Sequence, residues 1–451
     1  MATNDETRDD SSRGTETQRR ARPGIVVVLN AGEPSCATFE VSGIGVEVGR
    51  GSPQGLLEGD DRVSRRHVRI RHARSGWEIQ DLESRNGTFV NGEELVGEHS
   101  CGGEPLIRIG RSLLWAVSDV APFKEVRPHK LPLTGPVLGG RLQRAWSEIA
   151  LASRSGSTLC VRGESGAGKE LAARAFHEAR FGVGTKAPFV AVNCAAIPEG
   201  LAERLLFGAQ RGAYSGANVD AEGYLQAAHK GTLFLDEIAE LDPLVQAKLL
   251  RVLETREVMP LGATKPKQIE IALCVASHRN LRDEVARGRF REDLYFRLGR
   301  PQVDLPPLRE RLDELPWLIA NELRGVDAEL AQSVTFLEEC ALRTWPGNVR
   351  ELLHEARRSA HRALTEQADL VDRVHLSAEA GRQIISSVPP LGETPSGRPK
   401  ARVPNDEDIE RALAEQNGNV RGTARALGMH RNQLRRWLEK RGAVVPPDDD
   451  V

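Results

Sequence analysis

The first 24 residues carry almost nothing apolar to bury and read as a solvated tail. From residue 25 to 120, short apolar runs alternate with clusters of Gly, Asn, Asp and Ser, the pattern of half-buried strands separated by turns. Val26–Val28, Val46–Val48, Val68–Ile70, Trp77–Ile79, Thr88–Val90 and Leu106–Ile109 are the best strand candidates. No stretch of helical period interrupts them, so this region is expected to be an all-β domain. Residues 121–132, with three prolines, form a linker. Across residues 133–305 strand-like runs alternate with amphipathic helical patterns, which predicts a parallel α/β sheet. Residues 306–382 turn mainly helical, and residues 383–404, rich in Pro, Gly and Ser, are a second linker. A small all-α domain over residues 405–443 and a tail over 444–451 close the chain.

A length of 451 residues supports about three domains. The 62 Lys and Arg nearly cancel the 64 Asp and Glu, so only the distribution of charge can point to a partner. Six cysteines lie far apart without a CxxC pair, which argues against a disulfide framework or a zinc site and fits a reducing compartment. The longest early apolar run, Ile25–Leu29, is too short to cross a bilayer, and no apolar leader precedes it. A cytoplasmic protein without a membrane partner is expected.

Chemistry first appears at Thr158–Arg162, an expected strand that runs into Gly163, Glu164, Ser165, Gly166, Ala167, Gly168, Lys169 and Glu170 and then into helix-forming residues. A strand, a GxxxxGK loop and a helix make a phosphate cradle. Glycines let backbone N–H groups turn inward, the helix N-terminus supplies partial positive charge, and Lys169 neutralises phosphate oxygens. About 70 residues on, the apolar strand Thr232–Leu235 ends in Asp236 and Glu237. There Asp236 would hold Mg2+ and Glu237 would polarise an attacking water, so ATP is the expected substrate.

Residues 133–376 resemble the AAA+ domain of sigma-54-dependent transcription activators, the bacterial enhancer-binding proteins. The loop Gly163–Glu170 is similar to that family's GExGxGKE loop, in which Glu170 is usual although most P-loops place Ser or Thr there. The segments 188–194, 246–254, 305–311 and 345–352 also match. The resemblance implies that Asn193 holds Glu237 away from water until the partner is engaged and that Arg350 is a sensor arginine at the nucleotide. Ser277–His278 fall at the sensor position, where the family often has Thr-Asn and sometimes His. Arg291 and Arg297 are candidate arginine fingers, and the resemblance implies a ring, expected to be a hexamer, with active sites at subunit interfaces. Gly212–Ala217 (GAYSGA) resembles the family's GAFTGA loop, making Tyr214 and Ser215 the expected sigma-54 contacts. Leu205, Ala209 and Gln210 stand where the family usually has Glu, His and Glu.

Two outer regions complete the pattern. Helical patterns over Asp406–Gln416, Val420–Leu427 and Arg431–Lys440, with a turn at Gly428, predict a helix-turn-helix. Residues 419–442 hold seven cations against one anion, the electrostatic footprint of phosphate contact. The segment resembles the Fis-type helix-turn-helix, with Arg421, His430, Arg431, Asn432, Gln433, Arg435 and Arg436 as candidate DNA contacts. In the β region, Gly49-Arg50, Ser64-Arg65-Arg66-His67 and Ser84-Arg85-Asn86-Gly87 resemble the forkhead-associated (FHA) domain, an eleven-stranded sandwich that binds phosphothreonine peptides. That resemblance implies phosphate binding by Arg50 and Ser64 with help from Arg65 and Arg85, and a grip on the peptide backbone by Asn86. His67 is expected to brace the loop.

The expected architecture is therefore an all-β FHA sandwich, an α/β AAA+ P-loop ATPase with a helical lid, and an all-α helix-turn-helix. Two functions stay open. One is an ATP-driven activator of sigma-54 RNA polymerase, bound at upstream DNA and governed by a phosphothreonine protein or a Ser/Thr kinase. The other is a phosphothreonine-reading DNA-binding regulator whose sigma-54 coupling is weakened or retargeted.

Overall fold

The computed structural model describes residues 21–52, 57, 59–124, 139–198, 200–213, 218–383, 406–416, 423, 434 and 438. Ten strands form the N-terminal sandwich among these residues: β1 (Gly24–Asn30), β2 (Glu33–Glu40), β3 (Val46–Val48), β4 (Val68–Ala73), β5 (Gly76–Asp81), β6 (Thr88–Val90), β7 (Glu93–Glu94), β8 (Glu98–Cys101), β9 (Leu106–Ile109) and β10 (Ser112–Val117). They pair antiparallel in two sheets, ordered β2-β1-β10-β9-β6-β7 and β3-β4-β5-β8. Each strand expected from the apolar pattern lies within one of these. Strands β2, β7, β8 and β10 add to them. β2 and β8 are edge strands of polar sequence, where one side of the ladder faces water and a residue such as Pro34 is tolerated. Ile25, Val27, Ile70, Trp77, Ile79, Ile107 and Leu114 fill the space between the sheets.

The second region opens with α1 (Gly140–Ser155), β11 (Thr158–Arg162), α2 (Lys169–Phe181) and β12 (Phe189–Asn193). Two short helices follow, α3 (Ala202–Phe207) and α4 (Tyr224–Ala227), then β13 (Thr232–Asp236) and α5 (Pro243–Thr255). The hairpin β14 (Glu257–Val258) and β15 (Lys267–Gln268) leads to β16 (Ala272–Ser277), α6 (Leu281–Ala286), α7 (Glu292–Leu298) and β17 (Gln302–Asp304). The sheet is parallel, in the order β12-β13-β16-β11-β17. Its strands are apolar throughout because helices cover both faces, α1 and α2 on one side and α3 to α7 on the other. In such sheets ligands bind beyond the carboxyl ends of the strands.

The lid helices α8 (Leu315–Val326), α9 (Val334–Ala341) and α10 (Asn348–Thr365) follow. Ser333 caps α9 by accepting the Phe336 N–H, and Trp345 is buried with its indole N–H donated to Cys340 O at 2.6 Å. The lid does not have a core of its own. Leu315, Ile319, Phe336 and Leu337 share one apolar cluster with Val26, Val28, Leu113 and Trp115 from the outer face of the sandwich. Across that seam Arg108 Nε meets Glu338 Oε2 at 2.7 Å, and Arg141 at the start of α1 grips Glu104 at 2.9 Å.

Residues 384–451 form a separate unit. In it α11 (Asp406–Glu415) matches the first expected helix, and the other two expected helices lie outside the described residues. Among the described residues no helix is long and apolar enough to cross a membrane.

Candidate functional sites

The loop between β11 and α2 is built by its glycines. Gly166 has φ +74° and Gly168 has φ +105°, a region that L side chains rarely enter. A Cβ on Gly166 would sit 2.1 Å from Gly347 O at the start of the lid helix α10. The loop can therefore close under the lid only with glycine at that position. α2 begins directly after Gly168, so its unpaired N–H groups point into the space beyond the strand ends. A pocket of about 550 Å³ opens there, bounded by residues 165–170, Asn193, Asp236, Glu237 and, from the lid, Arg350. Most of the residues expected to hold a nucleotide are thereby brought together.

Lys169 is almost fully buried; its Nζ donates to Gly163 O at 3.1 Å and to Glu237 Oε1 at 3.0 Å. Glu237 Oε2 accepts from His278 Nδ1 at 2.6 Å and from the His278 backbone N–H at 3.3 Å. The backbone of Glu237 is left-handed, φ +53°, an uncommon state for a residue with a Cβ that is often found at functional sites. Burial raises the pKa of Asp236 above the ordinary carboxylate value despite the nearby Lys169. Burial also acts on Glu237, but the hydrogen bonds from Lys169 and His278 outweigh it and hold that carboxyl below its ordinary value. One half-buried acid is thus pushed up and its neighbour pulled down, as suits two different roles.

Several expected residues take other partners. Asn193 borders the pocket, but its carboxamide oxygen accepts the Ala195 N–H at 3.0 Å, and the Glu237 carboxylate is held by Lys169 and His278. Glu164 faces the lid, where Arg309 binds it through two hydrogen bonds of 2.8 and 3.0 Å and Asn348 Nδ2 donates at 3.1 Å. It ties the loop to the lid. Glu170 lies at the pocket edge, paired with Arg174 at 2.8 Å. Arg291 is clamped to Asp293, and Arg297 reaches Leu253 O at 3.4 Å. Both are exposed on or beside α7, and neither borders its own chain's pocket.

His278 sits behind Glu237, outside the pocket lining, and is the partner of that carboxylate to which the sequence assigned no contact. The signal was present: β13 and β16 are adjacent and parallel, with Leu235 beside Val275, so residues just past the two strand ends must meet. Tyr214 and Ser215 lie outside the described residues, as do Arg421, His430, Arg431, Asn432, Gln433, Arg435 and Arg436.

A second site lies at one end of the sandwich. Arg50 N–H donates to Ser64 O and Gly51 N–H to Arg65 O, both at 3.0 Å, which zips two loops together. Ser64 Oγ accepts the Arg85 N–H at 3.2 Å, and Asn86 Nδ2 donates to Arg62 O at 2.7 Å, which adds the third loop. Arg50, Ser64, Arg65, Arg85 and Asn86 are therefore gathered on one rigid surface. His67 is fully buried beneath it, accepting Ser64 N–H on Nδ1 at 3.0 Å, with Nε2 3.1 Å from Gly87 O. That pattern requires the neutral imidazole with its proton on Nε2. Burial lowers its pKa below 6.5, with the bond to Gly87 working the other way. Among the described residues Arg50, Arg65 and Arg85 make no ion pair, so their charge is free for an anion.

Known proteins divide the chain the same way. The Sigma-54 interaction domain model matches residues 139–304, the FHA domain model residues 46–102, and the model for bacterial regulatory proteins of the Fis family residues 407–440. The Nif-specific regulatory protein of Bradyrhizobium diazoefficiens is 43% identical over 242 residues, covering 52% of this chain and 40% of its own. The transcriptional regulatory protein ZraR of Escherichia coli K12 is 37% identical over 299 residues, covering 65% of each chain. The chain thus spans 40% to 65% of the length of these relatives. A crystal structure of NtrX from Brucella abortus superposes with a TM-score of 0.50 at 30% identity, covering 69% of each chain. With an FHA domain ahead of a sigma-54 interaction domain and a Fis-family segment behind it, this chain belongs to the sigma-54-dependent transcriptional activators.

Proposed function

We propose that the protein hydrolyses ATP to remodel closed complexes of sigma-54 RNA polymerase, under control of phosphothreonine recognition by its FHA domain. The observation that carries this reading is the convergence of Lys169, Asp236, Glu237 and Arg350 on one pocket beneath a lid. Lys169 and the α2 N-terminus bind phosphate oxygens, Arg350 brings the lid to the nucleotide, and Glu237 takes the proton of the attacking water. The raised, half-buried carboxyl of Asp236 fits a hard cation, and Mg2+ bound there would supply charge neutralisation across the phosphates. Arg291 and Arg297, exposed and away from their own pocket, act on the nucleotide of a neighbouring subunit, so the working form is a ring, taken to be a hexamer. Tyr214 and Ser215 carry the motion to sigma-54, and the basic Fis-type segment holds the ring to upstream DNA in the cytoplasm. Arg50, Ser64, Arg65, Arg85 and Asn86 receive a phosphothreonine made by a Ser/Thr kinase.

The test is open-complex formation on a sigma-54 promoter by the full-length chain with MgATP, compared with Glu237→Gln. Opening by the wild type and none by the variant is expected. ATP hydrolysis without opening would instead favour the regulator with retargeted coupling.

A further inference from the structure

We propose that Gln246 is the positioning residue for Arg291: it fixes the main chain from which that arginine reaches the neighbouring subunit, and ties it to the turn behind Glu237. The proposal rests on the ring reading above and goes beyond it by naming what holds the finger in place.

Gln246 lies in the first turn of α5 and is fully buried, so its carboxamide must find partners inside the protein. All of them are main-chain groups. Nε2 donates to Leu241 O at 2.7 Å and to Arg289 O at 3.1 Å, and Oε1 accepts the Arg291 N–H at 2.9 Å. The last two bonds take the carbonyl before Phe290 and the N–H after it, so the side chain pairs with that segment as a strand edge would. The first bond goes to a different place. Leu241 closes the short turn Ile238–Glu240 directly behind Glu237, where the Glu240 N–H donates to Glu237 O at 3.0 Å. One amide thus ties the finger segment to the end of the acid-bearing strand.

The neighbours of Arg291 are anchored by their side chains, and Arg291 is not. The Glu284 carboxylate holds Arg289 at 2.6 and 2.7 Å, and Phe290 is buried beside Leu241 and Leu294. The Arg291 guanidinium is exposed and pairs with Asp293, itself exposed, an ion pair worth little that phosphate oxygens can displace. When the guanidinium swings, the fixed point is its main chain, with the N–H on Gln246 and the carbonyl accepting the Tyr295 N–H at 3.0 Å. Gln246 does not border the pocket of its own chain, so its loss should spare nucleotide binding there. Met matches Gln in length and bulk and supplies none of the three bonds.

The experiment is steady-state ATP hydrolysis by the full-length protein with MgATP, for wild type, Gln246→Met, Arg291→Ala and Glu237→Gln, alone and in equal pairwise mixtures. A misplaced finger costs on the order of 100-fold, so kcat of Gln246→Met should fall by about that factor. Its KM and its affinity for a fluorescent ATP analogue should stay within about 3-fold of wild type. Mixing with Glu237→Gln should restore activity, because one subunit brings an intact pocket and the other an intact finger. Random order makes about a quarter of the interfaces competent, so the mixture should reach about a quarter of wild-type activity. Mixing with Arg291→Ala should restore nothing, since both subunits lack the same part. Four results would overturn the proposal: kcat of Gln246→Met within about 3-fold of wild type, loss of its nucleotide binding, recovery with Arg291→Ala, or no recovery with Glu237→Gln where Arg291→Ala recovers. If Arg291→Ala and Glu237→Gln do not rescue each other, the ring reading falls and takes this proposal with it, a result distinct from those four.

Discussion

Removing Glu338 tests whether the FHA sandwich and the lid share one core. Glu338 and Arg108 retain 8% and 15% of their side-chain exposure, and their bond of 2.7 Å spans the seam. Arg108 also lies over the Phe89 ring, 3.7 Å from its centroid. Breaking a buried pair on one side leaves an uncompensated charge and costs about 3–5 kcal/mol. The remaining exposure of Arg108 and its contact with Phe89 place Glu338→Ala near the lower end, about 3 kcal/mol. With a urea slope of about 3 kcal/mol/M, the unfolding midpoint of the full-length chain should fall by about 1 M. Replacing both partners should behave differently. Glu338 Oε1 has no hydrogen-bond partner among the described residues, so the native pair already bears an unmet desolvation cost. Arg108→Met/Glu338→Leu should therefore recover to within about 0.3 M of wild type. A midpoint shift below about 0.3 M in Glu338→Ala, or a double variant as weak as the single one, would refute the idea of a desolvated, load-sharing seam.

Two further outcomes follow from single positions. Gly166→Ala would force a Cβ against Gly347 O in a left-handed backbone, so the loop must pull away from the lid. Binding of a fluorescent ATP analogue should weaken by at least about 100-fold, and affinity within about 3-fold of wild type would contradict the packing described. His67 has a folded pKa below 6.5, so below that pH the unfolded chain takes a proton that the folded domain refuses. Its contribution is complete above about pH 6.5 and is lost as pH falls towards the folded pKa. Urea unfolding followed from pH 7.5 to 5.5 should show this loss, and a slope equally present in His67→Gln would assign it to another group.

How much of this was legible depends on what each residue type is uniquely able to do. The phosphate loop was readable because only glycine accepts the backbone of Gly166 and Gly168 and only a long cation reaches from α2 across to Glu237. The FHA surface was readable because its turns need Gly49, Asn86 and Gly87 at fixed places; a Cβ on Gly49 would stand 2.4 Å from Arg65 O. The roles of Glu164 and His278 were not, since a carboxylate or an imidazole looks the same in sequence whether it meets ligand, lid or neighbour. Their partners, Arg309 and Asn348 for one and Glu237 for the other, lie 145, 184 and 41 residues away.

The seam had a signal of its own that the strand pattern obscured. A sandwich strand with one face in water alternates apolar and polar, yet Ile25–Leu29 and Leu113–Val117 run apolar without a break. The structure gives the reason: Ile25, Val27, Leu114 and Ala116 face the sandwich interior, while Val26, Val28, Leu113, Trp115 and Val117 face the lid cluster. Continuous apolar strands in an otherwise alternating domain therefore mark the face on which something else must dock. That has a consequence for dissecting the molecule. A chain beginning at Leu133 would lack β1, β9 and β10 and bare Leu315, Ile319, Phe336 and Leu337, so its failure to act would report on a broken core as readily as on a missing signal. The same helices lead to Gly347 and Arg350, which close over the phosphate loop. A change in how the sandwich sits on α8 and α9 is thus one packed layer from the nucleotide pocket, and point substitutions at the FHA loops are the perturbation that leaves that layer intact.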